Sequence, residues 1–437
     1  MVPRHKPMSL QALIDHALAE TPPGRVVWVA LSGGLDSSLL LTLAADACRR
    51  HPRTLRALHV NHGLQDAAGD FETHCGELCS RLGVSLTVER VQVSMSSGLG
   101  LEGAAREARY AAFARHVSVG DTVWLAQHRN DQAEGFLLAA LRGSGVRGLA
   151  AMPASRDWQG RQLARPLLGS TRSELEREAD CRRLSWVEDP SNAESALDRN
   201  FLRHRLLPLI ETRWPGGQAS LARSAAYAGE ADALLEELAE LDLAASGDSP
   251  GWLPLATLSD LSAARQRLLI RHCCTCLGLP PPPAARLATL QAQLDARRDS
   301  QVHVHWPGGE ARLWRGALYL AAPRRSLEPD WQRAWDGQAA LATPIGSLNL
   351  VLEKKSGGPV ELCLRPRLGG ETLQMTGRGR RDLKRLLQER GVPPWQRGQL
   401  VVAWHEAHVV AVFVPGEREP LLCAEGWRCR PLSLAQG

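Results

Sequence analysis

From residue 25 onward, short apolar runs alternate with longer amphipathic stretches. RVVWVAL (25–31), LRALHV (55–60), VSLTVERVQV (84–93) and DTVWLA (121–126) are β-rich, while Ser37 to Arg50, Phe71 to Leu82, Leu101 to Val119 and Asp131 to Leu141 carry helical periodicity. That rhythm predicts stacked βαβ units. The runs at 25–31, 55–60 and 121–126 are nearly continuous in apolar character, as strands covered by helices on both faces must be. The expected fold is α/β, a doubly wound, mostly parallel sheet. In such a sheet ligands bind beyond the carboxyl ends of the strands, so chemistry is expected just after each run.

After Pro208 and the WPGG break at 214–217 the pattern changes to Ala- and Leu-rich helices at about 218–245, 256–278 and 284–297, followed by the β-like pieces VHVHW and RLWRGALYLAA. PRRSLEPDWQRAWDGQ interrupts the periodicity. From about 344, the strands SLNLVLEKK, VELCLRP and QLVVAWHEAHVVAVFV surround one basic helix, RDLKRLLQERG. Three domains are predicted: 1–215, a mainly helical 216–328, and a small α+β domain over 344–437.

Composition narrows the class. The 437 residues are 44% hydrophobic and 23% charged, an ordinary globular mixture that excludes a disordered tail or a disulfide-stapled miniprotein. No run of 18 apolar residues occurs, and Asp15 and Glu20 stand where a secretory signal needs an unbroken apolar stretch, so the expectation is a cytoplasmic protein with no membrane segment. Ten irregularly spaced cysteines point to buried thiols rather than a disulfide framework. His272, Cys273, Cys274 and Cys276 sit inside an apolar helical pattern and fit a core better than a metal site. The formal charge of +5 permits an anionic partner without demanding one; nearly all of the basic residues are Arg, with Lys only at 6, 354, 355 and 384.

The first apolar run leads straight into Ser32-Gly33-Gly34-Leu35-Asp36-Ser37-Ser38 and a helix. Two glycines let the backbone approach an anion, the serines add hydroxyl donors, and the helix N-terminus adds partial positive charge. This is the composition of a phosphate cradle without the Gly-Lys-Ser/Thr ending of a Walker loop. Asp36 would place a carboxylate beside the phosphates, where it suits a magnesium ion. The plain alternative is an N-cap and turn. Two further polar clusters follow strands: His59-Val60-Asn61-His62-Gly63-Leu64, and Gln127-His128-Arg129-Asn130-Asp131-Gln132-Ala133-Glu134. Asp131 and Glu134 are spaced to share one face of a helix's first turn, with His128 just before it, although acidic residues are favoured at helix N-termini in any case.

SGGLDSS is similar to the PP-loop of N-type ATP pyrophosphatases, and the ordered set HVNHGL, LEGAAREARY, HRNDQAEGFLLAALRGSGVRGLAAM, ARPLL, VEDPSNAESALDRNFLRHRLLP and RRDLKRLLQERGVPPWQR resembles the tRNA(Ile)-lysidine synthetase family. Gln65, Gln127 and Gly369-Gly370-Glu371 depart from that family's usual pattern. The resemblance implies ligation of L-lysine to the wobble cytidine of an isoleucine tRNA with a CAU anticodon, at the expense of ATP with Mg2+. Ser32, Gly33, Gly34, Leu35, Asp36 and Ser37 would bind ATP, Asp36 would also meet the metal, and Asp36, His128, Arg109 and Arg203 would serve the reacting groups. Asp131 and Glu134 would hold lysine.

In the last domain Arg365, Arg367, Arg378, Arg380, Arg381, Lys384, Arg385, Arg390 and Arg397 cluster around one predicted helix, with Trp395 among them. Of these, Arg378, Arg380, Arg381, Lys384, Arg385 and Trp395 suit tRNA backbone contact and base stacking, the alternative being a solvated helix with its aromatic in its own core. A thiolating PP-loop relative would bring paired cysteines near the loop, and a non-catalytic nucleotide-gated tRNA binder would carry the same motifs. A homodimer stays open.

Overall fold

The computed structural model describes residues 8–63, 68–93, 100–188, 198–294, 302–323 and 325–432. Gln65 lies outside them. The chain divides into two compact units, 1–236 and 237–437.

The first unit opens on α1 (Leu10–Glu20), capped by Ser9, whose hydroxyl accepts the Ala12 N–H at 3.2 Å. There follow β1 (Val27–Ala30), α2 (Leu35–Arg50), β2 (Leu55–Asn61), α3 (Ala68–Leu82), β3 (Ser85–Arg90), α4 (Gly100–His116), β4 (Thr122–Trp124), α5 (Arg129–Leu141), α6 (Val146–Leu149), β5 (Ser155–Trp158), β6 (Arg161–Ala164) and α7 (Arg172–Cys181). The sheet order is β3-β2-β1-β4-β6-β5. Every neighbouring pair is parallel except β5–β6. The doubly wound sheet expected from the apolar runs is therefore present, with an antiparallel edge strand.

Both faces are covered. Val27 and Val29 of β1 pack with Leu39, Leu40, Leu43 and Trp124 on one side, while Trp28 packs with Phe113, Val123 and Leu163 on the other. This is why the run lacks polar alternation. Asp121, at the foot of β4, accepts the Val26 N–H at 3.1 Å and the Trp28 indole N–H at 3.4 Å, fastening β1 to β4. The chain winds outward from β1 to β3 and then crosses over to β4, so the winding reverses between β1 and β4 and a crevice opens there.

The β5–β6 hairpin and α7 extend beyond the elements predicted from the sequence. SRDWQGRQLA is polar and largely exposed, so it lacks the apolar signature of a strand. Its turn is formed by Gln159 and Gly160, both with positive φ (52° and 71°), the conformation that two-residue hairpin turns require.

In the second unit the helix expected over 256–278 is two helices, Leu255–Ser259 and Ala263–Cys276. The chain breaks at Asp260–Ser262, where the Ser262 hydroxyl accepts the Arg265 N–H and starts the second piece. His272, Cys273 and Cys274 are buried on that helix, the two cysteines within the core formed by Leu269, Ile270, Leu287 and Trp306. Among the described residues no group of three His, Cys, Asp or Glu side chains is arranged to hold a metal ion, and no disulfide joins the ten cysteines. A sheet in the order Trp252–Pro254, Ala317–Ala321, Gly309–Trp314, His303–Trp306 packs on these helices, and a larger, mainly antiparallel sheet follows from residue 333.

The basic helix is Leu383–Glu389, shorter than the sequence suggested. Gly379–Asp382 is a strand paired with Thr372–Met375, and Asp382 caps the helix by accepting the Arg385 N–H at 3.0 Å. Among the described residues no helix is long and apolar enough to cross a membrane, and those of the first unit include no lysine.

Candidate active site at the switch point of the sheet

Beyond β1 the backbone turns sharply into α2. Gly33 has φ +91°, a conformation strained for any other residue, and a Cβ there would press on Phe71 Cδ1 at 3.1 Å and Cys75 Sγ at 3.3 Å. Its carbonyl accepts the Val187 N–H at 3.1 Å, tying the loop to the VEDP segment. Ser37 reaches back from the first turn of α2. Its Oγ accepts the N–H groups of Ser32 (3.1 Å) and Gly33 (3.2 Å) and lies 2.9 Å from Ser32 Oγ. Two backbone donors of the loop thus converge on a single oxygen, at the N-terminus of a 16-residue helix. A phosphate oxygen in that position would receive the same hydrogen bonds with the helix dipole behind them. Leu35 is buried beneath the loop and Gly34 occupies the N-cap.

Across the crevice β4 leads to His128, the N-cap of α5, where Asp131 closes a capping box by accepting the His128 N–H at 2.9 Å. Asp131 and Glu134 share one face of the first turn, as their spacing predicts. The same guanidinium holds both. Arg203 donates from Nε to Glu134 Oε1 at 2.7 Å, and from Nη2 to Glu134 Oε2 at 3.0 Å and Asp131 Oδ1 at 3.1 Å. Arg203 lies in a π-helical turn, Leu202–Leu206, a rare conformation that recurs at functional sites. His128 is buried between two carboxylates, Nε2 3.8 Å from Asp36 Oδ2 and Nδ1 3.7 Å from Asp131 Oδ2. Both separations are too long for hydrogen bonds, and Nδ1 has no hydrogen-bond partner among the described residues.

Asp36 is held in turn by Arg172, whose Nη1 donates to Oδ1 and Oδ2 at 2.7 Å each. Arg172 was not singled out from the sequence. It is the first residue of α7, which follows β6, and β6 lies beside β4, so the rule that directed attention to strand ends covers it once β6 is recognised. The helix start itself was legible: Thr171 and Glu174 form a capping box, with the Thr171 N–H donating to Glu174 at 2.7 Å. Gln127, one of the departures from the family pattern, accepts from Nε of the buried Arg165 at 3.0 Å.

Burial dominates the electrostatics. It raises the pKa of Asp36 and of Glu134 above the ordinary carboxylate values, although His128 and Arg172 oppose it at Asp36 and Arg203 opposes it at Glu134. Burial also works against the charge of Arg203, but the bond to Glu134 and the charges of Glu134, Asp131 and Asp36 override it and hold the guanidinium above its usual pKa. At the end of β2, His62 is pushed down to about 4 by burial and by the positive charge of Arg109, an exposed residue of α4. His59 is also depressed by burial, and its Nδ1 lies 2.9 Å from the Leu31 carbonyl.

In the second unit Arg378, Arg380, Arg381, Lys384 and Arg385 are all exposed, spread over a strand and the helix it leads into rather than over one helix. Leu383, Leu386 and Leu387 bury the opposite helix face. Trp395 is half-buried, edge-on to Trp314 (6.0 Å) and Tyr319 (5.5 Å), with Arg312 over its ring at 5.2 Å. Arg397 donates to the Val392 carbonyl and Glu371 accepts from the Leu368 and Gly369 N–H groups, so these two serve the local backbone.

A glycine-rich loop at the switch point of a parallel sheet, with Asp36 on the following helix, defines a PP-loop nucleotide-binding protein, and residues 7–210 match the PP-loop domain family. Residues 253–319 match the TilS substrate binding domain and 362–416 the TilS substrate C-terminal domain. The tRNA(Ile)-lysidine synthase of Xanthomonas axonopodis pv. citri is 43% identical over 90% of both chains. That of Alkalilimnicola ehrlichii is 42% identical over 96% of both, and that of Pseudomonas aeruginosa 43% over 92%. The chain belongs to the tRNA(Ile)-lysidine synthase family.

The depressed His62 gives a pH signature. Its ring is neutral in the native state down to about pH 4, whereas in the unfolded chain it takes a proton near 6.5. The stability this group supports is complete above pH 6.5 and is lost as pH falls from 6.5 toward 4. In urea titrations across that window, His62→Asn is expected to lose stability less steeply than the parent chain; an equally steep loss counts against this account.

Proposed function

We propose that this chain joins L-lysine to C2 of the wobble cytidine in the CAU anticodon of isoleucine tRNA, consuming ATP and releasing AMP and pyrophosphate. The observation that carries the reading is a carboxylate pair, the half-buried Asp131 and the buried Glu134, already holding a cation across the crevice from a phosphate-type loop. Such a pair suits the ammonium groups of lysine, and such a loop suits ATP.

The chemistry fits the side chains. The oxygen on cytosine C2 is a poor leaving group, so it first attacks the α-phosphorus of ATP and pyrophosphate departs. The ε-nitrogen of lysine then bonds to C2, the C2–O bond breaks, and AMP carries that oxygen away. Ser32 to Ser37 bind the phosphates through backbone and hydroxyl donors, and Arg109 and Arg203 neutralise charge during transfer. The loop has no lysine aimed at the outer phosphates, which matches displacement at the inner one.

Asp36 is one partly exposed carboxylate, and among the described residues no group of three ligand side chains gathers around it, which fits Mg2+, an ion that keeps several waters and shares phosphate oxygens rather than filling an all-protein cage. Asp36 would hold that ion, which supplies charge neutralisation on the phosphates when bound.

Lysine must lose a proton before it attacks. With a reference pKa near 10.4, the neutral amine costs about 4.6 kcal/mol at pH 7. Asp131 and Glu134 favour the ammonium, so they bind rather than deprotonate. Buried His128 Nδ1, beside Asp131, is the group placed to take the proton. In the second unit Arg378, Arg380, Arg381, Lys384 and Arg385, with Trp395, meet the tRNA. A tRNA substrate supports a cytoplasmic location. Thiolation is disfavoured because burial pushes the Cys75 thiol up to about 12 and Cys79 up to about 11, far from the reactive thiolate.

Incubation with ATP, lysine and the tRNA transcript is expected to yield a lysine adduct on the wobble nucleoside by mass, with AMP and pyrophosphate; ADP and orthophosphate as the only nucleotide products overturn the reading. tRNA-dependent exchange of labelled pyrophosphate into ATP separates the enzyme from a mere binder. Asp131→Asn and Glu134→Gln are each expected to raise the KM for lysine, and an unchanged KM in both rejects the lysine site. Neutralising Arg380 or Lys384 should lower the slope of log affinity for tRNA against log salt by about 0.7 to 0.9 per lost phosphate contact; an unaltered slope removes that residue from the interface.

A further inference from the structure

All four carboxylate oxygens of the candidate lysine site are engaged. Arg203 takes both oxygens of Glu134 and Oδ1 of Asp131, and the His128 N–H takes Asp131 Oδ2. Glu134 is 1% exposed, so its carboxylate is shut away from water although Arg203 reaches it from a partly exposed position, and the bidentate geometry is that of the strong charge-assisted kind. A lysine ammonium seeking these carboxylates meets a guanidinium already in place. Arg203 cannot step aside by losing its proton, because guanidinium stays charged at any working pH. It can leave only by moving.

An alternative partner for it stands across the crevice. Asp131, which Arg203 holds, is separated from Asp36 on the phosphate-loop side by the single ring of His128, whose nitrogens lie 3.7 and 3.8 Å from the two carboxylates, so the guanidinium stands about one side chain away from where phosphates would sit. A triphosphate there offers several anionic oxygens, and guanidinium pairs with phosphate as readily as with carboxylate. The π-helical turn that carries Arg203 is an irregular segment, whose wider hydrogen-bond spacing is one that helices seldom keep without a functional reason.

We propose that Arg203 is an internal competitor for the lysine site: its guanidinium occupies Asp131 and Glu134 until nucleotide phosphates draw it across the crevice, so lysine is admitted only after ATP. The proposal rests on the lysine-binding reading of Asp131 and Glu134 and adds the order of binding to it. The amine would then meet the carboxylates only when an activated cytidine can be made, and ATP and lysine would bind with positive coupling of the size usual for linked sites, about 5- to 150-fold.

Equilibrium dialysis of labelled L-lysine against the full-length protein tests this, with and without Mg2+ and an ATP analogue carrying a methylene bridge between the α- and β-phosphorus. The parent chain is expected to bind lysine at least tenfold more tightly with the analogue. Arg203→Met should bind lysine with the same Kd, within twofold, in both conditions, and as tightly as the analogue-bound parent. Arg203→Lys keeps the charge but cannot span both carboxylates, and should show a reduced coupling. Equal lysine affinity of the parent chain with and without the analogue overturns the competitor role while leaving the lysine site standing. Retention of the tenfold coupling by Arg203→Met overturns it as well, as does weaker lysine binding by Arg203→Met than by the unliganded parent. If Arg203→Met does not fold, as judged by its far-ultraviolet circular dichroism, the parent chain and Arg203→Lys still decide. Absence of lysine binding in every condition overturns both the competitor and the site.

Discussion

A carboxylate shut away from water needs a cation against it, and the organisation of the crevice follows from that requirement at Glu134. Removing one member of such a buried pair is costly, several kcal/mol in comparable cases, because the other is left charged without solvent. Arg203 lies 69 residues further along the chain and is therefore held against α5. A second pair repeats the arrangement across the opening, with Arg172 reaching Asp36 from 136 residues away. Together they fasten the π-helical turn at 202–206 and α7 to the two helices whose N-termini face each other across β1 and β4.

The two candidate interfaces are built on opposite electrostatic terms. Around the switch point charges of opposite sign meet in specific pairs, Arg203 with Glu134 and Asp131 and Arg172 with Asp36, and burial raises the pKa of Glu134 and Asp36. Over 378–385 five exposed basic residues outweigh the single Asp382, and their common support is the apolar face of Leu383, Leu386 and Leu387. Buried pairs confer geometry; exposed like charges confer long-range attraction that salt weakens. A small amino acid needs the first and a polyanion the second.

The sheet was legible because strands covered on both faces leave an apolar signature, and β1, β2 and β4 appear where those runs lie. The site was legible as far as it follows those strands: the loop at 32–37 and the turn carrying His128, Asp131 and Glu134 stand where expected. What escaped had no such signature. The β5–β6 hairpin is an exposed edge with polar residues, and without it nothing placed Arg172 at the crevice. The pairing of Arg203 with both carboxylates escaped for a different reason, since residues assigned to two separate ligands gave no sign of binding each other. The break at Asp260–Ser262 was hidden because apolar periodicity continues across it, and the strand at 379–382 because four exposed residues carry no pattern.

The described part of the first unit contains arginines throughout and not one lysine. In the proposed reaction the activated base is an electrophile open to any neutral primary amine, and an enzyme with a flexible aminobutyl side chain nearby would risk attaching itself to its own substrate. Guanidinium supplies positive charge without a usable lone pair at neutral pH. The positive charges at the crevice are thereby chemically inert toward the intermediate, leaving the free amino acid without a rival primary amine on a side chain among the described residues of that unit.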